Sequence, residues 1–341
     1  LCRIVGIPGG RIVKVQRLIA QSGFLAVTLL VAASLPATVQ AAAKKCLFIS
    51  SYHKGYAHAD QIEAGVRATL KDQCELRQYD MDTKRRKSKT DIKNSALAAK
   101  AIIESWKPDV VITADDNAVK HLIEPFYKDK KTPFVFSGLN WTAAEYGLPY
   151  SNATGMIEVA PVGVMLDRAA SIVPQFRRAF YLGADALSEQ KNLKRFQTAA
   201  KKKGFVLDHA LVGSTKEWIE TYARAQEYDL VIIGNRHGIK DWNHDRAVAG
   251  IMKSTRRLSV TNHGWMMPYT ILGMTKVSRE QGEWAGKIAI RILNGYQISK
   301  IPVVPNRQRD VWINSQILSV SGVKLPQGVL RKGKKIAGLA R

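Results

Sequence analysis

Cysteine is scarce: the 341 residues hold three, Cys2, Cys46 and Cys74. A disulfide-dense miniature fold and a multi-cysteine metal domain are thereby excluded. Acidic residues are also few, 28 Asp and Glu against 52 Lys and Arg, so the net charge is +24. An anionic partner has to be weighed. The chain has no H-E-x-x-H, no paired Cys/His spacing, no G-x-S-x-G, no P-loop and no G-x-G-x-x-G after a strand. Without a nucleophile and base, a phosphate loop or a metal set, no enzymatic activity and no cofactor are expected. His53, His58, His237, His244 and His263 lack metal-ligand spacing and read as hydrogen-bonding side chains, so no metal is expected.

Long hydrophobic runs are missing too, with one exception from Phe24 to Leu35. It is shorter than the roughly 20 apolar residues a membrane-spanning helix needs. Arg3, Arg11, Lys14 and Arg17 precede it, no acid accompanies them, and small residues follow Pro36. Residues 1–41 therefore read as a secretory signal peptide cleaved after Ala41, which predicts a periplasmic protein. Removing those four basic residues leaves a charge of about +20, a strong field for an exported domain. The remaining charge is scattered in groups, Lys84 to Lys87, Lys128 to Lys131, Lys201 to Lys203 and the tail from Arg331 to Lys335. Scatter of this kind describes solvated helix ends and loops, and no nucleic-acid recognition module is visible. Cys46 and Cys74 stand at the starts of two expected strands. If those strands are parallel neighbours, about 4.8 Å apart, a disulfide can form; two buried thiols are the alternative. Lys45 before Cys46 argues against a lipid anchor.

From Cys46 onward, short apolar runs alternate with helical patterns, the signature of a parallel sheet covered on both faces. Val110 to Thr113, Phe134 to Phe136, Ala179 to Leu182 and Leu230 to Ile233 read as buried strands. Ile92, Ala96, Ala99, Ile103 and Trp106 recur at spacings of three and four, as on an amphipathic helix. The pattern pauses in the turn-rich Gly147 to Asn152 and resumes near Ala179. Two doubly wound α/β lobes follow. One lobe is expected to comprise residues 44–155 plus 277–300, the other 156–276 plus 301–326, with 327–341 as a basic tail. Ser278 to Leu293 reads as a long helix with Trp284, Ile288 and Ile292 on one stripe.

Ligands of open parallel sheets bind beyond the carboxyl ends of the strands, near a topological switch point. The loops there are Ser50 to Asp60, Ala114 to Asn117, Ser137 to Trp141, Gly183 to Asp185, Gly234 to His237 and Asn262 to Trp265. These loops carry Ser51-Tyr52-His53 with Gly55, Tyr56 and Asp60, then Thr113 to Ala118, then Phe136 to Asn140. Gly155 with Glu158 follows, and Asn314, Gly322 and Leu325-Pro326 close the series. In this order the residues resemble the periplasmic substrate-binding proteins of ABC transporters, the type that includes tryptophan- and tyrosine-binding members, and similar periplasmic sensor domains. The resemblance covers about residues 45–326. It implies a type I periplasmic-binding fold with a hinge, a monomer that encloses a small-molecule ligand and delivers it to an ABC permease in the inner membrane. A stand-alone sensory receptor is the alternative.

Ligand contacts carried over from the resemblance are Tyr52, His53, Tyr56, Asp60, Asp115, Asp116, Asn117, Gly138 and Asn140. His58 stands where an aromatic residue is expected, and Ala57 where proline is frequent. Trp141, Asp185, Asn235, Arg236 and Asn262 join the candidates from their places after strand ends. Leu187-Ser188-Glu189 departs from the small hydroxyl residues usual after Asp185. Each candidate has a plainer reading. Asp60 can be the helix N-cap, Asp115 to Asn117 can simply open a helix, and Gly138 can serve a turn. Tyr52 and Tyr56 would offer aromatic faces. Asp115 or Asp116 would meet an amine, while Asn140 and Arg236 would meet a carboxylate.

Overall fold

A computed structural model describes residues 43–336; the expected signal peptide and the last five residues lie outside them. Two covered sheets account for the described strands. The first half of the chain supplies β1 (Lys45–Ser50), α1 (Ala57–Leu70), β2 (Glu75–Asp80), α2 (Lys89–Trp106) and β3 (Val110–Ala114). After these come α3 (Asp116–Ala118), α4 (Glu124–Tyr127), β4 (Phe134–Asn140) and β5 (Ala153–Glu158). The side chains of successive strand residues point to opposite faces. Accordingly Leu47, Ile49 and Val111 pack with Ala96, Ala99 and Ile103 of α2 on one face. Cys46, Phe48, Val110 and Ile112 pack with Ile62, Val66 and Leu70 of α1 on the other. Ser88 starts α2 by accepting the Asp91 N–H at 3.0 Å, a cap worth about 1 kcal/mol.

The second lobe is built from α5 (Val162–Ile172), β6 (Arg178–Ala184), α6 (Leu187–Lys203), β7 (Val206–Val212), α7 (Thr215–Arg224), β8 (Leu230–Ile233), α8 (His244–Ser254), β9 (Leu258–Thr261) and β10 (Leu272–Lys276). The chain then returns through α9 (Ser278–Leu293), β11 (Val304–Pro305), β12 (Arg309–Ile313), α10 (Ser315–Ser321), α11 (Gln327–Lys332) and β13 (Lys334–Lys335). Among the described residues the strand orders are β11-β5-β4-β3-β1-β2 and β13-β12-β10-β9-β8-β6-β7. Each sheet has its switch point between its first strand and its third, at β1/β3 and at β6/β8. The loops after those strands are the ones singled out from the sequence.

Two boundaries differ from expectation. Val304 pairs with Met156 and Pro305 with Ile157, while β5 pairs with β4 through Glu158. Hydrogen bonding thus keeps 156–158 and 304–305 in the first sheet, not the second lobe. The described part of the expected basic tail is folded as well: Trp312 and Ile313 pair with Lys334 and Lys335, and Val329 joins the second core. The chain crosses to the second lobe after Glu158.

Cys46 and Cys74 are bridged, with their Cα atoms 6.0 Å apart. The pairing follows from β1 and β2 being parallel neighbours in register from Lys45 and Glu75. Helix α9 follows the second-lobe strand β10 yet packs on α1 of the first lobe. Small residues permit it: a Cβ on Gly282 would stand 1.9 Å from the Ile62 carbonyl oxygen, and one on Gly65 2.4 Å from that of Arg279. That close approach brings the start of α9 against the start of α1, and with it the end of β10 against the first lobe.

Candidate functional site

At the start of α1, His58 reaches in two directions. Its Nδ1 lies 2.7 Å from Ser278 Oγ at the head of α9, and its Nε2 lies 3.1 Å from Asp115 Oδ1. Asp115 follows β3 at a positive φ of 69°, a strained conformation for a residue with a side chain. It is 2% exposed, and its backbone N–H donates to Ser137 O at 2.8 Å. Gly138 takes a φ of +74°, and a Cβ there would come 3.1 Å from Asp115 Oδ1. Its N–H instead donates to Gln281 Oε1 at 2.6 Å. Gln281 in turn donates to Glu158 Oε2 at 2.6 Å, and the other oxygen of Glu158 pairs with Lys276 Nζ. Glu158 ends β5 in the first lobe and Lys276 ends β10 in the second. Their ion pair therefore spans the lobes.

A cavity of about 320 Å³ opens onto this network. His58, Gln61 and Ser278 line it from the first lobe; Asn262, His263, Trp265, Thr275 and Lys276 line it from the second. Burial pushes the Lys276 ammonium down to about 8, against the pull of the Asp115 and Asp116 carboxylates. Burial, then the nearby His237, pushes His263 down to about 4, so it is neutral at pH 7. Trp265 is half-exposed and stacks with His263, with ring centroids 4.7 Å apart, and with His237, at 5.7 Å. Among the described residues, Asp115 Oδ2 in the first lobe and Asn262 Oδ1 in the second are buried carbonyl-type acceptors without a partner. Buried polar atoms without partners are uncommon and mark places where a further group fits.

The candidates read from sequence are distributed unevenly around this cavity. Asn262 lines it, and Asp115 stands one hydrogen bond behind His58. Asp116 and Asn140 satisfy each other: Asn140 Nδ2 donates to Asp116 Oδ2 at 2.5 Å, and Tyr146 OH donates to Asp116 Oδ1 at 2.9 Å. Asn117 donates to Thr83 at 2.8 Å. Tyr52 and Tyr56 meet edge to face with centroids 5.1 Å apart, beneath the Lys84 ammonium, 4.5 Å from the Tyr52 ring. Burial, then Asp115 and Asp116, holds the Tyr52 phenol well above its usual range. His53 Nδ1 lies 3.2 Å from Asp82. Asp60 is not the N-cap of α1. The helix begins three residues earlier, at Ala57, and the Asp60 carboxylate reaches back to accept the Gly55 N–H at 2.9 Å. Trp141 packs across the lobes under Arg195 of α6, 3.6 Å from the ring centroid. Asp185 is exposed, and Asn235 accepts the Trp265 indole N–H at 3.1 Å. Arg236 lines a different cavity, confined to the second lobe.

Besides the lining residues Gln61, His263, Trp265, Thr275 and Ser278, the candidate set lacked His58, Glu158, Lys276 and Gln281. Glu158 and Lys276 obey the same strand-end rule as the loops that were chosen, so that signal was present in the sequence. Gln281 lies inside a helix and gave none. Among the described residues, no group of three or more His, Cys, Asp or Glu side chains is arranged to hold a metal ion.

A family model described as ABC transporter substrate binding protein matches residues 56–337. The chain belongs to this family. Among solved structures, this substrate-binding protein is similar to an ABC domain from Streptococcus pneumoniae in complex with L-Trp, at 16% identity and a TM-score of 0.57. That match covers 86% of this chain and 100% of the other. It is also similar to a ligand-free, open substrate-binding protein with adhesive properties from Clostridium difficile, with 13% identity, a TM-score of 0.67 and coverage of 86% and 99%. A third similar structure is a solute-binding protein of an ABC transporter from Rhodopseudomonas palustris in complex with 3,4-dihydroxybenzoic acid. It has 11% identity, a TM-score of 0.52 and coverage of 73% and 80%. No curated protein matches significantly. At these identities the solved structures establish the fold, which is the type I periplasmic-binding fold of two α/β lobes. Among the described residues no helix is long and apolar enough to cross a membrane.

Proposed function

We propose that this substrate-binding protein works in the periplasm, after loss of residues 1–41, as the solute receptor of an ABC importer. It captures an amine-bearing solute, an amino acid or similar amphiphile, in the interlobe cavity. The observation that carries the ligand class is the pair of unpartnered buried acceptors, Asp115 Oδ2 and Asn262 Oδ1, one from each lobe. Asn262 lines the cavity and Asp115 lies behind His58; an ammonium donates several hydrogen bonds at once, and one that displaced the His58 contact to reach both acceptors would favour the closed arrangement over an open one. Lys276, which pairs with Glu158, is the cavity-lining cation that a ligand carboxylate would share, and the half-exposed Trp265 edges the same cavity. With Asn140 engaged by Asp116, Lys276 takes the place that sequence reading gave to Asn140 and Arg236. The permease would read closure of the lobes, which a ligand drives only through its extra affinity for the closed form.

The test is a thermal-shift screen against amino acids, simple amines and simple carboxylates, on the wild type and on Asp115→Ala. A ligand at ~100 times its dissociation constant stabilises by about 2.7 kcal/mol. Amine-bearing compounds should raise the melting temperature of the wild type and do so much less in the variant. Shifts with carboxylates that lack an amine, of equal size in both proteins, would overturn the assignment of Asp115. For the importer role, the liganded protein should stimulate ATP hydrolysis by a cognate permease and ATPase, and no stimulation would sink that role.

A further inference from the structure

Trp265 and Gly264 form part of the wall of a second cavity, of about 290 Å³, whose other lining residues are Arg236, His244, Met267, Pro268, Tyr269 and Ile336. All of these come from the second lobe, so this space does not depend on the meeting of the lobes. Its walls are largely apolar and include no carboxylate. Arg236 is the cation on its rim. Among the described residues Arg236 makes no ion pair within 4.0 Å, and its Nε is buried with no hydrogen-bond partner. The guanidinium lies 5.5 Å from the centroid of the Trp242 ring. Other polar groups of this wall are, in contrast, engaged: Trp242 Nε1 donates to Tyr269 OH at 3.1 Å, and His244 Nδ1 lies 2.7 Å from the same oxygen.

Among the described residues Arg236 lines this apolar space without a counter-ion, and a carboxylate is the group whose geometry meets a guanidinium fork in a bidentate way. A phosphate would ask for more donors than this apolar lining supplies. We infer that the second lobe holds a separate binding site for a small apolar monocarboxylate, its carboxylate on Arg236 and its hydrocarbon part against Trp265, Met267, Pro268 and Ile336. The site is independent of the solute held between the lobes, because its cation and its walls are not those of the interlobe cavity apart from the shared edge at Gly264 and Trp265.

The experiment is calorimetric titration with 3-phenylpropanoate and with its neutral amide, on the wild type, Arg236→Gln and Lys276→Gln. The acid should bind the wild type with the amide at least tenfold weaker, Arg236→Gln should erase that preference, and Lys276→Gln should keep it. Equal binding of acid and amide to the wild type overturns the proposal without any variant. Loss of the preference in Lys276→Gln, with Arg236→Gln unaffected, overturns it in favour of the interlobe cavity. Failure of the ligand reading for the interlobe cavity leaves these outcomes unchanged, since only the Arg236 dependence decides them.

Discussion

Replacing Gly282 with alanine perturbs the contact that carries the second lobe's last strand back to the first. The new Cβ would stand 1.9 Å from the Ile62 carbonyl oxygen and 2.9 Å from Val66 N, both backbone atoms that cannot rotate away. Overpacking of this kind costs about 1–3 kcal/mol, and a clash with backbone belongs at the upper end. Alanine returns about 1 kcal/mol of helix propensity. The net expectation is a loss of about 2 kcal/mol. Gly328→Ala is the control, because it lies in α11 with nothing within 4 Å of its Cβ. There the propensity gain stands alone, and the protein should gain about 0.5–1 kcal/mol. Urea denaturation reads both as shifts of the midpoint at constant slope. The effect of Gly282→Ala should extend to ligand affinity, since Gln281 and Ser278 on the same helix hold Glu158 and His58. A Gly282→Ala midpoint at or above that of the wild type would refute the close-packing argument.

Ligand binding should weaken as pH rises through about 8, where Lys276 loses its proton; Lys276→Met should bind a carboxylate-bearing ligand weakly at pH 7 and lose that pH dependence. The His263 value of about 4 lies below its ordinary 6.5. Between these values the unfolded chain binds more protons, so this residue's contribution to stability is present above about 6.5 and lost as pH falls towards 4. Melting curves from pH 7 to 4 should show a shallower decline in His263→Phe than in the wild type, and parallel declines would refute the assignment. Cys74→Ser opens a bridge across a sequence separation of 28. In the chain-entropy model this costs about 3–4 kcal/mol, and an unchanged denaturation midpoint would contradict it.

Much of the first lobe was legible because strand and helix periods differ and each face of its sheet has one helical layer. Ala96, Ala99 and Ile103 announce α2, and the same residues lie in the core against Leu47 and Val111. Helix α9 was read to its observed limits, Ser278–Leu293, since Gly295 closely follows its end. The tail was misread for a physical reason. Lys334 and Lys335 look like solvated charge, yet an edge strand uses its backbone, and Lys334 also pairs with Asp310 at 2.7 Å. Asp60, a candidate ligand contact, has the N-cap as its plainer reading because Asp is favoured there. The helix instead begins at Ala57, and an aspartate one turn in can still serve the preceding loop.

The sequence by itself determined the α/β class, the division into two lobes, the disulfide option and the strand ends from which a site must be built. These follow from local periodicity and from the rule that strand carboxyl ends converge. Tertiary structure alone decided which side chains share the cavity. Lys276 meets Glu158 across 118 residues, His58 meets Ser278 across 220, and Gln281 meets Gly138 across 143. Separations of that length leave no periodic trace, because they are set by how α9 docks against α1. Asp116 and Asn140, expected to meet a ligand, instead satisfy each other within the first lobe, whereas Lys276 and Glu158 join the two lobes beside the cavity.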